Sequence, residues 1–160
     1  MRSTLLSSAA AFILLATPAN AESNKGARVS ACMFEHGTYK LVEQDGDRSN
    51  ATLQFRPFQS VTGIAATMTT PGGAEVKVTL SFSNGYVVNY AGMEIGEYEI
   101  SPTIAAYTED MRRARISADV PAPAYVMFPQ AGFEAHMAQR AEDDPVEIPD
   151  GAWRLVGCNR

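Results

Sequence analysis

The sequence predicts a mainly β domain of the α+β class, a twisted antiparallel sheet or small barrel with one or two short helices in its C-terminal half. Three observations predict this fold. Alternating or β-branched runs separated by turn residues fill the first half of the chain, and helical spacing of apolar residues begins after Ser101. The only two cysteines, Cys32 and Cys158, lie near the two ends of the expected domain, so one disulfide would join those ends.

The N-terminus has the pattern of a secretory signal peptide. Arg2 supplies a positive charge, residues 5–16 are apolar but too few to span a bilayer, and Ala19-Asn20-Ala21 is typical of a signal-peptidase site. We therefore predict a signal peptide over residues 1–21 and a single periplasmic or secreted domain over residues 22–160. Polar residues directly after the cleavage site argue against an uncleaved anchor, and no later segment is apolar enough to cross a membrane.

The charge of the mature chain limits its partners. Cleavage removes Arg2, one of 13 basic side chains, and leaves 12 against 18 acidic ones, a formal charge of −6. Nucleic acids and anionic membrane surfaces are bound chiefly through Lys and Arg, so neither is an expected partner. An acidic chain is compatible with a basic protein partner, although the sequence leaves both the partner and the oligomeric state unknown.

The two cysteines predict a structural disulfide. Exported thiols meet an oxidising environment, and the chain has no Cys-x-x-Cys pair typical of redox or metal sites. A bridge between Cys32 and Cys158 would close a loop of 126 positions, worth about 4–5 kcal/mol on the chain-entropy model. Free thiols and intermolecular pairing are the alternatives. Residues 29–32 also have lipid-attachment composition, but charged residues separate them from the apolar stretch, which argues against acylation.

Strand patterning dominates the first half of the chain. Six runs bounded by turn residues predict a meander of antiparallel strands: 28–34, 38–44, 51–56, 60–68, 75–82 and 86–91. The sharpest turn signal is Asn84-Gly85, because this pair supplies the positive φ angles of a type I′ hairpin between the last two runs.

The period of the apolar residues changes after Ser101. This serine fits an N-cap, Pro102 fits the first helical position, and Ile104, Tyr107 and Met111 follow at helical spacing. These positions predict a short helix.

A second helix is predicted within residues 129–140. Its expected apolar face is formed by Phe133, Met137 and Ala141, which recur at helical spacing, with Ala138 completing the stripe. A short apolar strand at 124–128 precedes this helix, and an acidic, proline-containing connection at 142–150 leads to a final strand at 152–158.

Two segments near the cysteines, Gly37–Val42 and Gly151–Val156, share the pattern Gly-x-aromatic-basic-Leu-Val. Two ordinary strand starts that agree by chance explain the pattern; the alternative is that they are partner strands, with Tyr39 and Trp153 closing one end of the core. The first segment resembles the Gly-x-Trp opening of lipocalin-like barrels and the Gly-Thr-Trp-x-Leu-Val opening of secreted all-β domains of the heat-shock-lipoprotein type. The resemblance covers six residues, and the mid-chain Gly-Cys-Asn motif of those families stands here at 157–159, so no ligand or site residue is carried over.

No residue pattern predicts a catalytic centre, a metal site or a cofactor. There is no Gly-x-Ser-x-Gly, and the only histidines are His36 and His136. The run Asp45–Ser49 begins like a calcium loop, but Asn50 and Arg56 stand where that loop needs glycine and glutamate. A hairpin turn whose aspartates bond to their own backbone is the simpler interpretation.

The leading functional hypothesis is a small non-enzymatic binding or inhibitor-like module of the bacterial envelope, with an unknown protein partner. Its working surface is expected on loops, at residues 45–49, 71–73 or 142–150. The candidate binding residues are Asp45, Asp47, Glu142, Asp143, Asp144 and Asp150.

Two other function classes stay open. A hydrophobic-ligand carrier would have a barrel interior lined by Met68, Leu80, Phe82, Val88 and Tyr90. A hydrolase would need scattered Glu, Asp or His side chains to converge in a cleft, and strand alternation would place Glu97 and Glu99 on one face.

Overall fold

The structure is a computed structural model that describes residues 32–42, 50–57, 63–81 and 89–159. The predicted signal peptide and its cleavage site lie outside these residues. So do the 45–49 loop, the Asn84-Gly85 turn and most of the first predicted strand.

Nine strands and one α-helix make up the described part of the chain. They are β1 (Gly37–Leu41), β2 (Thr52–Pro57), β3 (Gly63–Thr69), β4 (Glu75–Ser81), β5 (Asn89–Ile95), β6 (Tyr98–Ile100), β7 (Thr103–Tyr107), β8 (Tyr125–Met127), α1 (Ala131–Ala138) and β9 (Ala152–Cys158). A single 3₁₀ turn, Phe34–His36, leads into β1.

Eight of the strands close into an antiparallel barrel. Their order around the barrel is β1, β2, β3, β4, β5, β7, β8 and β9, and β9 pairs again with β1. The short strand β6 pairs with β5 as a hairpin outside this closed cycle. The structure confirms the predicted mainly β fold in its barrel form, with one helix in the C-terminal half and a disulfide between Cys32 and Cys158.

Strand alternation decides which residues enter the barrel. In β4 the inward side chains are Val76, Val78 and Leu80, all almost fully buried, whereas Glu75 and Lys77 face solvent. The same period of two runs through the neighbouring strands, because successive side chains of a strand point to opposite faces. The inward residues therefore merge into one hydrophobic core.

Three aromatic rings pack together inside the barrel. The rings of Phe34 and Phe55 have centroids 4.5 Å apart, and Tyr39 meets Phe55 edge-to-face at 5.6 Å. The Tyr39 hydroxyl donates a hydrogen bond of 3.0 Å to the carbonyl oxygen of Pro123, and burial raises the pKa of this phenol. The Tyr39 phenol therefore stays neutral, and its hydrogen bond holds Pro123 against the core.

The two segments with the shared pattern are neighbours, so the partner-strand alternative is confirmed. β1 and β9 pair antiparallel, so that Tyr39 lies opposite Leu155 and Leu41 lies opposite Trp153. Both aromatic side chains are fully buried. Tyr39 belongs to the cluster with Phe34 and Phe55, whereas Trp153 lies two positions along the ladder from it, nearer the start of β9.

The barrel has two distinct ends. At one end, which we call the disulfide end, the start of β1 meets the end of β9, with Gly37 opposite Cys158. The other end, which we call the helix end, carries α1 and its connection to β9. The antiparallel order also places the β3–β4 turn at the helix end, because β3 runs toward it and β4 runs away from it.

The helix predicted after Ser101 is wrong. Residues 103–107 form β7, which pairs with β5 on one side and β8 on the other. Ile104 and Ala106 face the core at 1 % exposure, so the local apolar pattern satisfies strand alternation as well as helical spacing. The chain then turns back at Thr108, whose hydroxyl accepts a hydrogen bond from the backbone N–H of Arg112. Tertiary pairing on both edges outweighs the capping signal.

The hairpin between β4 and β5 is confirmed, but its register differs from that of a tight turn. Ser81 lies opposite Tyr90, whereas a two-residue turn at Asn84-Gly85 would place Ser81 opposite Val88. The turn itself falls outside the described residues.

Removing the disulfide should lower the stability of the barrel. For the double variant Cys32→Ala/Cys158→Ala we expect a loss of about 2–5 kcal/mol in the free energy of unfolding, since the bridge restricts a loop of 126 positions. Urea unfolding followed by tryptophan fluorescence measures it. A reductant should shift the wild-type midpoint and leave that of the variant unchanged; equal midpoints for both proteins without reductant would contradict the expectation.

Candidate binding surface at the helix end

α1 lies at the helix end of the barrel, against β6, and packs into the core with its smallest side chains. Ala131 and Ala135 are fully buried, and Gln139 directly after the helix is 4 % exposed. Alanine brings a helix backbone close to the strand ends, so this contact uses backbone proximity rather than bulky side chains.

The larger apolar residues of α1 point away from the barrel. Phe133 is 65 % exposed and Met137 is 46 % exposed, and Ala141 is exposed as well. The predicted helix is therefore confirmed, but its predicted apolar face is wrong at Phe133, Met137 and Ala141, which face solvent, whereas Ala138 is partly buried against the core. Helical spacing shows which residues share one side of a helix but not which side packs against the barrel. Here the side with Ala131 and Ala135 packs against it.

The N-terminus of α1 is held by a residue from the following connection. The Asp150 carboxylate accepts a hydrogen bond of 2.8 Å from the backbone N–H of Gly132. A carboxylate at this position also stabilises the positive end of the helix dipole. Asp150, one of the predicted binding residues, thus has a structural role in fixing the helix end.

The buried amide of Gln139 fixes the same connection farther along. Its Oε1 accepts a hydrogen bond of 2.9 Å from the Val146 N–H, and its Nε2 donates to the Val146 carbonyl at 3.1 Å. The same Nε2 donates to the carbonyl of Ala135. Because one side chain bonds both backbone groups of Val146, the loop is held in one position against α1.

Glu142 joins the connection to β6, the short strand beside the closed barrel. The Tyr98 hydroxyl on β6 donates a hydrogen bond of 2.5 Å to Glu142 Oε1. This bond to the carboxylate, followed by smaller contributions that include Glu97, raises the pKa of Tyr98 to about 12.

Of the predicted binding residues, Asp143 and Asp144 are exposed and have no hydrogen-bond or ion-pair partner among the described residues.

A groove of about 310 Å³ opens between these parts. Its walls are Pro71 of the β3–β4 turn, Gly132 and His136 of α1, and residues 145–149 of the connection. Most of this lining is apolar, with the imidazole of His136 and the carboxylate of Glu147 as the ionisable groups. No hydrogen bond or ion pair joins these two side chains in the described structure.

The loops predicted to carry function meet at this end. Pro71 of the 71–73 turn and the 142–150 connection share the groove. The chain also leaves the described residues at Val42 and returns at Asn50 here, with the Val42 N–H bonded to the Ala152 carbonyl at 2.7 Å. Asp45 and Asp47 themselves lie outside the described residues, so their part in the surface stays a prediction.

The surface is acidic. Residues 131–150 contain six carboxylates, Glu134, Glu142, Asp143, Asp144, Glu147 and Asp150, and one guanidinium, that of Arg140. Exposed charges of one sign on one face produce a field that attracts oppositely charged partners.

The other residues considered from the sequence do not form a site. His36 lies at the disulfide end, 3.5 Å from the Glu35 carboxylate, whereas His136 lies on α1. Glu97 sits in the turn between β5 and β6, so it does not share a strand face with Glu99, which lies opposite Glu94. Across the described ranges, no cluster of three or more His, Cys, Asp or Glu side chains could hold a metal ion.

Comparisons with protein-family models, with curated proteins and with solved structures found no match to this chain. Among the described residues, no helix has the length and apolar character needed to span a membrane.

Sequence reasoning missed the residues that shape the groove. Gly132 has no space for a side chain, since an added Cβ would lie 2.6 Å from the Ile148 carbonyl oxygen and 2.9 Å from Asp150 Oδ2. A glycine inside a predicted helix is itself a signal of close approach. Gln139 carries no comparable signal, because nothing local distinguishes it from a solvated glutamine.

Replacing Gly132 should therefore loosen the groove. For Gly132→Ala we expect a loss of about 1–3 kcal/mol in stability, because the methyl group meets backbone that cannot move without breaking the Asp150 cap. Thermal unfolding by circular dichroism measures it. The control is Gly72→Ala, where the nearest atom, Thr70 Oγ1, lies 3.9 Å from the added Cβ; similar losses for both variants would contradict the expectation.

The bond between Tyr98 and Glu142 should respond to pH. Glu142→Gln removes the carboxylate, so we expect the pKa of Tyr98 to fall from about 12 toward its ordinary value of 10.0. Because the folded-state pKa is raised, the contribution of this bond to stability is present below pH 10 and is lost as pH rises through 12. NMR titration of the Tyr98 ring, assigned with Tyr98→Phe, reports the value. Glu99→Gln on the same strand is the control, and a fall of equal size there would contradict the assignment to Glu142.

Proposed function

We propose that this chain is an exported binding module of the bacterial envelope, inhibitor-like in mode, which binds a cationic protein partner through the helix end of its barrel. The observation that carries the proposal is the meeting of two predicted loops, 71–73 and 142–150, and the anchor points of a third in one acidic surface. Loops held by a rigid scaffold are where binding residues concentrate.

The way the connection is held supports a binding role. Asp150, Gln139 and Glu142 are used to fix the loop, while Asp143 and Asp144 remain exposed beside the groove. Holding the backbone in place before a partner arrives reduces the conformational entropy lost on binding. A fixed loop with exposed carboxylates is suited to recognition of a basic surface.

The interior of the barrel favours this proposal over a ligand carrier. Met68 and Leu80 are fully buried among other large side chains, and Tyr90 is 53 % exposed on the outside of the wall rather than lining the interior. Phe82 and Val88 lie outside the described residues. A carrier needs internal space, whereas the described core consists of rings and aliphatic chains that are each at most 8 % exposed.

Export is the second part of the proposal, with the periplasm or the cell exterior as destination. The signal-peptide pattern of residues 1–21 supports it, and the disulfide is consistent with an extracytoplasmic compartment. Cleavage after Ala21 would leave the single domain, residues 22–160.

A charge-reversed pair of probes tests the binding function. The mature protein is titrated with two fluorescent peptides of equal length, one lysine-rich and one glutamate-rich, at low salt and at about 0.15 M salt. We expect the lysine-rich peptide to bind more tightly and to lose affinity with salt. The variant Asp143→Asn/Asp144→Asn/Glu147→Gln should weaken its binding about threefold or more, since each exposed ion pair contributes about 0.2–1 kcal/mol.

The matched control removes the same charge from the other end of the barrel. Glu109→Gln/Asp110→Asn/Asp119→Asn alters three carboxylates in the segment after β7, which reaches the disulfide end. If this variant weakens binding as much as the first, the attraction comes from net charge alone. That result, or equal binding of the two peptides, would contradict a binding surface at the helix end.

A further inference from the structure

We propose that the exposed apolar face of α1 and the adjoining groove dock an apolar side chain of the partner, flanked in the partner's sequence by Lys or Arg. The inference rests on the proposed function and specifies its partner as a protein segment with an aromatic or aliphatic residue between basic ones. It starts from the inversion of α1, whose alanines face the barrel while Phe133 and Met137 face solvent.

The geometry of α1 makes the exposed residues and the groove one surface. Successive residues of an α-helix are rotated by about 100°, so Ala131, Ala135 and Gln139 form the barrel-facing stripe. Gly132 and His136 form the next stripe around the helix and line the groove. Phe133 and Met137 come directly after that stripe, so the apolar surface continues from the groove over the outside of the helix.

The apolar part of this surface is largely exposed rather than packed in the core. Phe133, at 65 %, is the most exposed large hydrophobic side chain among the described residues, and Met137, at 46 %, stands one helical turn away. Exposed apolar groups next to each other and rimmed by polar ones are typical of interaction sites. Aromatic residues and Met are also the types enriched where protein interfaces become fully buried.

The size of the groove indicates a side chain rather than a separate ligand. Pockets for drug-sized molecules hold about 300–1,000 Å³, and this groove, at about 310 Å³, lies at the bottom of that range and is open to solvent. The walls from Pro71, Val146 and Pro149 are apolar and have few rotatable bonds. One inserted aromatic or branched aliphatic side chain matches such a shape.

The charge around the groove defines the rest of the partner. Glu147 lines the groove, and Asp144 and Asp143 lie three and four residues before it on the same connection. Exposed carboxylates at the rim of an apolar centre select basic residues on either side of the inserted side chain, because charge complementarity fixes orientation and suppresses wrong partners. The acidic rim is the reason for choosing a cationic segment over a second copy of this acidic chain.

Two lysine-flanked peptides that differ at one central position test the inference. One carries tryptophan there and the other serine, and their affinities for the folded mature protein are compared by fluorescence anisotropy. We expect the tryptophan peptide to bind about tenfold more tightly or better, as expected for burial of a large apolar side chain. Phe133→Ser and Met137→Ser should each reduce this preference and leave the affinity for the serine peptide unchanged.

Control variants separate this site from apolar exposure in general. Tyr90→Ser and Val156→Ser remove side chains that are 53 % and 49 % exposed on β5 and β9, away from α1. They should keep the full preference for tryptophan. Circular dichroism of all four variants checks that the barrel stays folded, and each altered residue is at least 46 % exposed, which favours that outcome.

The outcomes distinguish the two proposals. If the charge variants weaken both peptides while Phe133→Ser keeps the preference for tryptophan, the docking inference is overturned and the proposed function stands. If neither peptide binds, the proposed function fails and the inference fails with it. A wild-type dimer that Phe133→Ser converts to a monomer in sedimentation analysis would assign the face to a second copy and overturn the inference.

Discussion

The pairing of β1 with β9 is the interaction on which the rest of the molecule depends. It joins the first and last strands, with Gly37 opposite Cys158 and Leu41 opposite Trp153, and so turns an open sheet into a closed cycle. Without it both strands would be sheet edges with unpaired backbone groups. A change of register between Thr38 and Tyr39 adds local twist within this ladder, which suits the curvature of a closed barrel. The disulfide holds the disulfide end of this pair, since Cys32 lies just before the 3₁₀ turn that leads into β1 and Cys158 ends β9.

Closure also determines where the loops go. In an antiparallel barrel with an even number of strands, alternate connections fall at the same end. The β1–β2 and β3–β4 connections and the approach to β9 therefore share the helix end, while Phe34 and residues 120–123 cover the disulfide end. The β7–β8 segment, residues 108–124, falls at the disulfide end, so topology divides the surface loops between the two ends. It brings the 71–73 turn and the 142–150 connection to the helix end, and the groove and carboxylates of that end single it out as the candidate binding surface.

Much of this topology could be predicted from residue patterns, because one physical signal dominates it. A strand with one face in the core must alternate, and β4 and β9 alternate clearly enough that their positions follow from the sequence. The shared pattern around Tyr39 and Trp153 offered the closing pair as an alternative to chance agreement, since both strands present an aromatic residue and a leucine to the same interior. The wrong prediction of a helix at β7 also comes from the spacing of apolar residues. Ile104 and Ala106 fit alternation while Ile104, Tyr107 and Met111 fit a helix, and only the neighbours β5 and β8 decide between the two periods.

The candidate site was less predictable, because its decisive contacts join residues that no local pattern relates. The acidic connection was identified by its charge and prolines. Which of its carboxylates hold the loop and which stay exposed was not predicted. Asp150 caps Gly132 across 18 positions, and Glu142 reaches Tyr98 across 44. Periodicity likewise indicated that residues 129–140 form a helix without indicating which stripe meets the barrel.

The orientation of α1 connects the scaffold to the function proposed for it. A Cβ at Gly132 would clash with the connection, which shows how closely the helix approaches it, and the buried Ala131 and Ala135 show how closely the helix approaches the barrel. A helix held this tightly from two sides has no room on those sides for Phe133 or Met137, so its bulky residues can only face solvent. An exposed side chain on a mobile element loses part of its binding free energy when that element becomes ordered. Phe133 and Met137 are instead carried by a helix that Asp150 fixes at its N-terminus and Gln139 fixes after its C-terminus. The contacts that stabilise the end of the barrel therefore also hold an apolar surface in place beside exposed carboxylates, which is the arrangement that recognition of a cationic, apolar segment requires.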